Sequence, residues 1–361
     1  MGDTWRWHFY SIGELSILKK DPLAFFSDLS NNYEHGYGRF LSSRSSWWND
    51  LHRNAFTKLL TIFNLLSASS YFINTIFYSF LTLFGSVAFF KMMQDAFPRK
   101  KAIQVICIFL LPSFLYWCSG IHKDGLTFLG IALVVYPCYF GWRKRRLSIG
   151  GVVSILLGLL LLLLYRNYLL VVLFPALLTW MIAERFGKKP LLVFSVAYLF
   201  FAFLFFGLPK VFPGIDLPRA VVEKQEDFAT LKGSSFVPIK KLEPNFKSFL
   251  TTAPYALELT LLRPFPTDAK HLFSLIAVLE NLGILVLIGL AVLFRQKQNP
   301  PPAFFWFCLF LSLSILLIVG YTVNFLGAIV RYRSIVLPIL LTPILCQVNW
   351  KRLKYIKNKY V

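Results

Sequence analysis

Three ionisable residues, His122, Lys123 and Asp124, stand side by side between two long apolar stretches of this chain. One interpretation is functional: a cation and an acid at the floor of a cavity, where Lys123 serves as a point charge for a phosphate. The other is structural, since Ser119 and Gly120 permit a tight turn and Asp124 can cap the helix that follows. The residues alone leave both interpretations open.

Arginines at or near the ends of other apolar stretches could also hold an anionic group. Arg166 interrupts a run of leucines, where the alternatives are snorkelling to lipid headgroups and a clamp on an anionic headgroup. Arg263 either pairs with Asp268 to hold a proline-rich corner or binds a phosphate or a sugar. Arg331 and Arg333 suit a pyrophosphate, with interfacial anchoring as the alternative.

Two carboxylates complete the candidate set. Glu280 lies well inside an apolar stretch, where a carboxylate needs a partner, protonation or a cavity. We expect Glu280 to make a structural hydrogen bond with a polar residue inside the bundle. Asp3 lies in the terminal segment MGDTWRWHFY, and its position alone indicates nothing.

The composition indicates a polytopic membrane protein. Of the 361 residues, 57% are hydrophobic and only 15% are charged, and the mean hydropathy is +0.60. Soluble domains have about 45–50% apolar and about 25% charged residues. The net charge of +21 would fit nucleic-acid binding in a soluble protein. In a membrane protein it is the expected excess of lysine and arginine on cytoplasmic loops, so we expect no nucleic-acid partner.

Nine apolar runs are candidate membrane spans, because a helix needs about 20 mainly apolar residues to cross a bilayer. The runs are continuous rather than alternating, which favours helices. The predicted spans are 69–90, 102–118, 125–142, 148–164, 168–183, 190–207, 271–294, 302–323 and 335–348. The predicted fold is therefore an all-α bundle of transmembrane helices.

Basic residues recur in alternate connectors and predict the orientation. They cluster at 99–101, 143–146, 185–189, 295–297 and 351–359. The positive-inside rule places this set in the cytoplasm, together with the C-terminus. An odd number of spans then places the N-terminus outside, with the Gly120–Gly125 turn, Arg166, Arg331 and Arg333.

Two segments predicted on the outer side are longer than ordinary loops. Residues 1–68 contain apolar positions at helical spacing from Phe56 to Leu66, which predict an amphipathic helix in the membrane interface. Residues 208–270 contain a second amphipathic stretch, Phe246–Leu262. The predicted order is an outer segment (1–68), a first set of spans (69–207), an outer loop (208–270), a second set of spans (271–348) and a basic cytoplasmic tail (349–361).

The five cysteines have no CxxC spacing and lie in or beside apolar runs. We therefore predict small core residues rather than disulfides or metal ligands. No strong cluster of divalent-metal ligands is visible in the sequence, and no cofactor is predicted.

Several short stretches together are similar to one family of membrane enzymes. They are Gly2–Asp3 with Tyr10; Pro112–Ser113 through Trp117, Ser119–Gly120 and Lys123–Asp124; Arg263–Pro266 with Leu279–Asn281; and Arg331 and Arg333 with Pro338. These stretches extend over most of the chain. In them the chain resembles the GT-C superfamily of integral membrane glycosyltransferases, and in particular its bacterial branch from polysaccharide-producing organisms.

The resemblance implies that Asp3 deprotonates or orients an acceptor hydroxyl, and that the donor is a sugar on a polyprenyl phosphate. Asp124 is the second candidate catalytic acid. The candidates for holding the phosphate leaving group are His122, Lys123, Arg166, Arg263, Arg331 and Arg333. Metal is not required if these cations neutralise the leaving group. In the family a helix precedes the acidic stretch, whereas Asp3 is the third residue here, so either the chain starts late or the gene start is misassigned.

Three functions, besides that of a structural or assembly subunit, remain open from the sequence. A membrane glycosyltransferase would have as partners a polyprenyl-phosphate-linked sugar, a glycan or lipid acceptor and membrane lipids. An O-antigen or capsule polymerase or ligase would act on polyprenyl-pyrophosphate glycans through arginine and histidine. A non-enzymatic glycolipid exporter would need polar residues along several helices, whereas the middles of 148–164 and 190–207 are nearly all apolar. The predicted location is the bacterial inner membrane, as a multi-pass protein of cell-envelope assembly.

Overall fold

The computed structural model describes residues 3–31, 47–187, 189–233, 235–296, 301–350 and 352, without the side chains at 3, 28, 30, 31 and 47–50. These residues form α-helices and contain no β-strand. The helices are α1 (Asp3–Lys20), α2 (Pro22–Asn31), α3 (Trp47–Ser67), α4 (Tyr71–Ala96), α5 (Lys101–Phe109), α6 (Pro112–Ser119), α7 (Lys123–Lys144), α8 (Ile149–Arg166), α9 (Tyr168–Phe186), α10 (Pro190–Val211), α11 (Leu217–Ala229), α12 (Phe246–Leu257), α13 (Leu272–Leu293), α14 (Ala303–Thr322), α15 (Leu326–Ser334) and α16 (Leu337–Cys346). A π-helix, Glu258–Leu262, follows α12, and a short 3-10 helix spans Pro266–Asp268.

Within the described residues, seven helices are long and apolar enough to cross a membrane: α4, α7, α8, α9, α10, α13 and α14. Two bent pairs, α5 with α6 and α15 with α16, raise the number to nine when each pair is taken as one span. Eight of these elements overlap the runs predicted from hydropathy, whereas the α15–α16 pair begins nine residues before the predicted 335–348. The prediction of an all-α polytopic fold is confirmed.

Prolines mark the breaks in both bent pairs, where the axes turn by 52° at α5–α6 and by 59° at α15–α16. Pro112 is the first residue of α6 and Pro338 the second residue of α16. A proline ring clashes with the turn before it but is tolerated in the first turn of a helix. The last predicted span, 335–348, therefore corresponds to α16 alone. The two arginines before it lie in a helix of their own, α15.

The chain divides into two compact units. Unit 1 comprises residues 1–88 and 115–170, and unit 2 comprises residues 89–114 and 171–361. In unit 1, the N-terminal helix α1 packs on α3, and α3 contacts α8. The segment before the first span is thus part of a folded unit that includes membrane-length helices.

The core of unit 1 is largely aromatic. Phe56 of α3 meets Trp7 of α1 edge-on, with ring centroids 5.7 Å apart, and Tyr165 of α8 at 6.0 Å. Such edge-to-face pairs add about 0.5–1.5 kcal/mol beyond the burial of their surface. The predicted amphipathic helix is present within α3, and its apolar face enters this core at Phe56 and Leu60.

Helices α7 and α8 form a tight antiparallel hairpin at two facing glycines. A Cβ on Gly158 would lie 2.7 Å from the carbonyl oxygen of Gly130, and a Cβ on Gly130 would lie 3.2 Å from that of Gly158. Glycine permits this close approach of two backbones. Residues 145–148 join the helices at one end, so the opposite end brings the start of α7 to the end of α8.

In unit 2, connectors predicted on the same side of the membrane meet. At one end, Lys100 Nζ donates to the carbonyl of Val348 (3.0 Å), and Arg295 forms an isolated antiparallel bridge with Val348. At the other end of α14, the N–H of Val237 donates to the carbonyl of Asn324 (2.8 Å). Two basic connectors, which contain Lys100 and Arg295, therefore share one end of this unit. The long 208–270 segment contributes to the other end.

Candidate functional site

Side chains of α4 hold the turn that carries the ionisable triplet. The Tyr78 hydroxyl donates to the carbonyl of His122. One turn along α4, the Thr82 hydroxyl donates to the carbonyl of Cys118 (3.1 Å). Gly125 lets α7 start here, since a Cβ at this position would lie 2.3 Å from the same Cys118 oxygen. Sequence reasoning missed both hydroxyl residues, because a tyrosine or threonine within an apolar run does not identify its partner.

Asp124 and Arg166 form an ion pair across the open end of the α7–α8 hairpin. Nη2 of Arg166 donates to Oδ1 of Asp124 at 2.9 Å. The side chain of Asp124 is wholly buried, whereas 16% of the Arg166 side chain is exposed. The N-cap of α7 is His122, so Asp124 lies in the first helical turn. Its carboxylate binds the guanidinium of Arg166.

Aromatic rings surround the other two members of the triplet. Nζ of Lys123 lies 4.9 Å from the centre of the Trp7 ring, which belongs to α1. The ring of His122 lies 5.0 Å from that of Trp117. A cation over an indole face gains about 0.5–2 kcal/mol, depending on its exposure. The structure thus gathers the triplet and Arg166 at one end of unit 1 and adds Trp7, to which sequence reasoning gave no role.

Arg333 lies in the interior of unit 2, with 1% of its surface exposed. Its Nη1 donates to the carbonyls of Thr260 (3.2 Å) and Arg263 (2.8 Å) and to Oδ1 of Asn281 (2.8 Å). Nδ2 of Asn281 donates in turn to the carbonyl of Leu262 (2.6 Å). These carbonyls are available because the π-helix ends here, and the last carbonyls of a helix lack partners within it.

Glu280, the residue before Asn281 on α13, is also tied to a neighbouring element. Its Oε1 accepts from the N–H and from the hydroxyl of Ser113, both at 3.0 Å. The expected structural hydrogen bond at Glu280 is confirmed. Ser113 belongs to the first turn of α6, where N–H groups have no partner within the helix.

Arg263 lies just after the π-helix, between two carboxylates. Its Nη1 is 3.6 Å from Oδ1 of Asp268, and its Nε is 3.8 Å from Oε1 of Glu258. Both distances exceed that of a hydrogen bond, so the attraction is electrostatic. Asp268 also accepts from the N–H of Phe265 (2.8 Å). The structure thus has the arginine–aspartate corner that was one of the two interpretations of this segment.

Four stretches singled out in the sequence meet inside unit 2. Ser113, the Arg263 segment, Asn281 and Arg333 are linked by the hydrogen bonds given above. Arg331, two residues before Arg333 on α15, is half-buried. An amide within an apolar run is a recognised signal of a buried hydrogen bond between helices. That signal could have identified Asn281 in the sequence.

The contacts of Asp3, the predicted catalytic base, cannot be described. Helix α1 begins at Asp3, but the Asp3 side chain lies outside the described residues, so its role stays a prediction. Comparisons with family models, curated proteins and solved structures give no match. Function must therefore be argued from the side chains and their geometry.

Four of the five cysteines are buried core residues, as predicted. All five are free thiols, and all but Cys138 are buried. Among the described residues, no group of three histidine, cysteine, aspartate or glutamate side chains is arranged to hold a metal ion. The described candidates for contact with a substrate are the cationic side chains and their aromatic neighbours.

Proposed function

We propose that this chain is an integral membrane glycosyltransferase of the GT-C kind. It would act at the extracytoplasmic face of a bacterial inner membrane, on a sugar carried by a polyprenyl phosphate, in the assembly of a cell-envelope polysaccharide or glycoconjugate. The acceptor would be a glycan or a lipid.

The observation that carries the proposal is the cationic end of the α7–α8 hairpin. Lys123 and the partly exposed Arg166 lie at the end opposite the basic turn, which includes Arg145 and Arg146. Helix α7 has 22 residues and is about 33 Å long at 1.5 Å per residue, enough to cross the hydrocarbon core. With the basic turn in the cytoplasm, Lys123 and Arg166 would lie among the outer headgroups, where the phosphate of a polyprenyl lipid resides.

The proposed reaction is a displacement at the anomeric carbon of the donor sugar. The oxygen of the acceptor hydroxyl bonds to this carbon, and the bond from the carbon to the phosphate oxygen breaks. Polyprenyl phosphate leaves with the bonding electron pair, and the hydroxyl proton passes to a base, for which Asp3 is the candidate. Lys123 and Arg166 would stabilise the charge that develops on the phosphate, with His122 beside them.

The arginines of unit 2 have different roles in this proposal. Arg263 and Arg331 are partly exposed and stay candidates, within unit 2, for binding an anionic group. Arg333 is buried and bonded to Arg263 and Asn281. It would therefore hold the segment that carries Arg263 rather than contact the donor.

A polymerase or ligase acting on polyprenyl-pyrophosphate glycans is the second candidate. The observation in its favour is that Asp124 is wholly buried against Arg166, so this cluster would present cations to a substrate. Such an enzyme would depend on Arg331 and not on Asp3. Loss of activity in Arg331→Ala but not in Asp3→Ala would favour it.

The test is a transfer assay in membranes with radiolabelled undecaprenyl-phosphate sugars. Lys123→Gln should lower the rate of sugar transfer about tenfold or more, because the variant loses a charge-assisted hydrogen bond to the phosphate. Lys144→Gln is the matched control, because Lys144 is exposed at the opposite end of the same helix. Absence of transfer from every donor of this class would refute the proposal.

A further inference from the structure

We infer that Asp124 is a positioning residue, which orients Arg166 towards the donor phosphate and never meets the substrate itself. This inference rests on the proposed function and assigns to Asp124 a role other than that of a catalytic acid or base.

The exposure of the two side chains divides their roles. No part of the Asp124 side chain is exposed, whereas 16% of the Arg166 side chain is. A carboxylate without exposed surface cannot take a proton from an acceptor hydroxyl by direct contact. Arg166 can meet a ligand while its Nη2 stays bonded to Asp124 (2.9 Å).

The backbone is held in place on both sides of Asp124. Tyr78 bonds the carbonyl of His122, two residues before it. The N–H of Leu126, two residues after it, donates to the same Tyr78 hydroxyl (3.3 Å). The facing glycines of α7 and α8 set the distance between the two helices. Asp124 is therefore a fixed point against which an arginine can be aligned.

Arg166 needs such a fixed point. It is the last residue of α8, and a long side chain at a helix end can point in many directions. A hydrogen bond from one nitrogen restricts the planar guanidinium and so determines where its other edge can point. The donor phosphate is already negatively charged when it binds, so an aligned guanidinium contributes to donor binding as well as to stabilising the charge that develops on the leaving group.

The test uses steady-state kinetics of Asp124→Asn, Arg166→Gln and the double variant. If Asp124 acts only through Arg166, the donor KM should rise about tenfold in Arg166→Gln and no further in the double variant, because their effects are not additive. Asp124→Asn should shift the donor KM in the same direction, with the acceptor KM unchanged. The acidic limb of the pH profile of kcat/KM should persist in Asp124→Asn, since the base would still be present.

Controls separate this role from a contribution to stability. Arg166→Gln leaves Asp124 buried without its arginine and could lower stability, so the double variant, which removes both charges, is the safer comparison. Glu14→Gln removes the carboxylate of another ion pair of unit 1, Lys58–Glu14, and should leave the donor KM unchanged.

Two outcomes would overturn the inference while leaving the proposed function intact. One is an unchanged donor KM in Asp124→Asn. The other is loss of transfer in Asp124→Asn beyond that of Arg166→Gln, together with loss of the acidic limb, which would make Asp124 the base. If the wild-type protein transfers no sugar and binds no undecaprenyl phosphate in nanodiscs, the proposed function fails and this inference fails with it.

Discussion

Arg333 donates a 2.8 Å hydrogen bond to the side-chain oxygen of Asn281 inside unit 2. Through this contact, α15 and α13 together hold the chain where the π-helix ends. Arg333 bonds the carbonyl of Arg263, and Asn281 bonds that of Leu262. The segment that carries Arg263 is thus positioned by a buried arginine and a buried amide.

The first prediction concerns Asn281. Its replacement by alanine should lower the free energy of unfolding by about 2–3 kcal/mol, because Arg333 and a buried carbonyl lose a partner. Leu282→Ala is the control, since this neighbouring side chain is 40% exposed and should cost less than about 1 kcal/mol. Denaturant unfolding in mixed micelles measures both values. Equal losses would show that the amide is not a structural link.

The second prediction concerns the glycine contact between α7 and α8. A Cβ in Gly158→Ala would lie 2.7 Å from the Gly130 carbonyl oxygen, so the helices must separate, at a cost of about 1–3 kcal/mol. Separation would also disturb the Asp124–Arg166 pair at the end of the hairpin. The transfer assay and thermal unfolding measure the two consequences.

A control for this substitution is present on the same helix. Gly150 of α8 has no atom within 4 Å of the position that a Cβ would take. Gly150→Ala should therefore be neutral, or stabilising by up to about 1 kcal/mol through helix propensity. If Gly158→Ala were as stable as Gly150→Ala, the described approach of the two helices would be wrong.

The third prediction concerns the pH dependence of unit 1. Burial lowers the pKa of His8 below its ordinary value of 6.5. The unfolded chain then binds more protons than the folded chain just below that pH, so this contribution to stability should decrease as the pH falls through 6.5. Asn74 Nδ2 lies 3.3 Å from Nδ1 of His8, and a protonated Nδ1 could not accept that hydrogen bond.

Thermal unfolding of the wild-type protein and of His8→Gln, from about pH 7.5 to about pH 5, tests this linkage. The wild-type protein should lose more stability across the range than the variant, because glutamine does not titrate. Parallel curves of stability against pH for the two proteins would exclude His8 as the source of the pH dependence.

The fourth prediction concerns sidedness. A membrane-impermeant maleimide should label Lys123→Cys in intact cells and Lys144→Cys only after the membrane is opened, because the two positions lie at opposite ends of α7. Native background should be low, since four of the five cysteines are buried. Labelling of Lys144→Cys from outside, with Lys123→Cys protected, would place the cationic end in the cytoplasm and remove the proposed function.

Hydropathy and charge spacing were sufficient to predict the membrane-length helices. Whether a run such as 272–293 can cross a bilayer depends on its own length and apolarity, which are local properties of the chain. The contact of Lys100 with Val348 agrees with the predicted orientation. The number of spans between two connectors decides whether they lie on the same side of the membrane, and only connectors on the same side can be in contact. The breaks beside Pro112 and Pro338 are likewise a local effect of proline.

The partners of the charged side chains could not be predicted in this way. Asp124 and Arg166 are 42 residues apart and meet because two glycines bring α7 and α8 together. Arg333 has the sequence context of a residue at the membrane surface, yet it is 1% exposed, since the π-helix and α13 supply oxygens to its guanidinium. A hydrogen bond between segments that are distant in sequence requires donor and acceptor atoms to be placed to within a few tenths of an ångström. The spacing of residues along the chain carries no information at that precision.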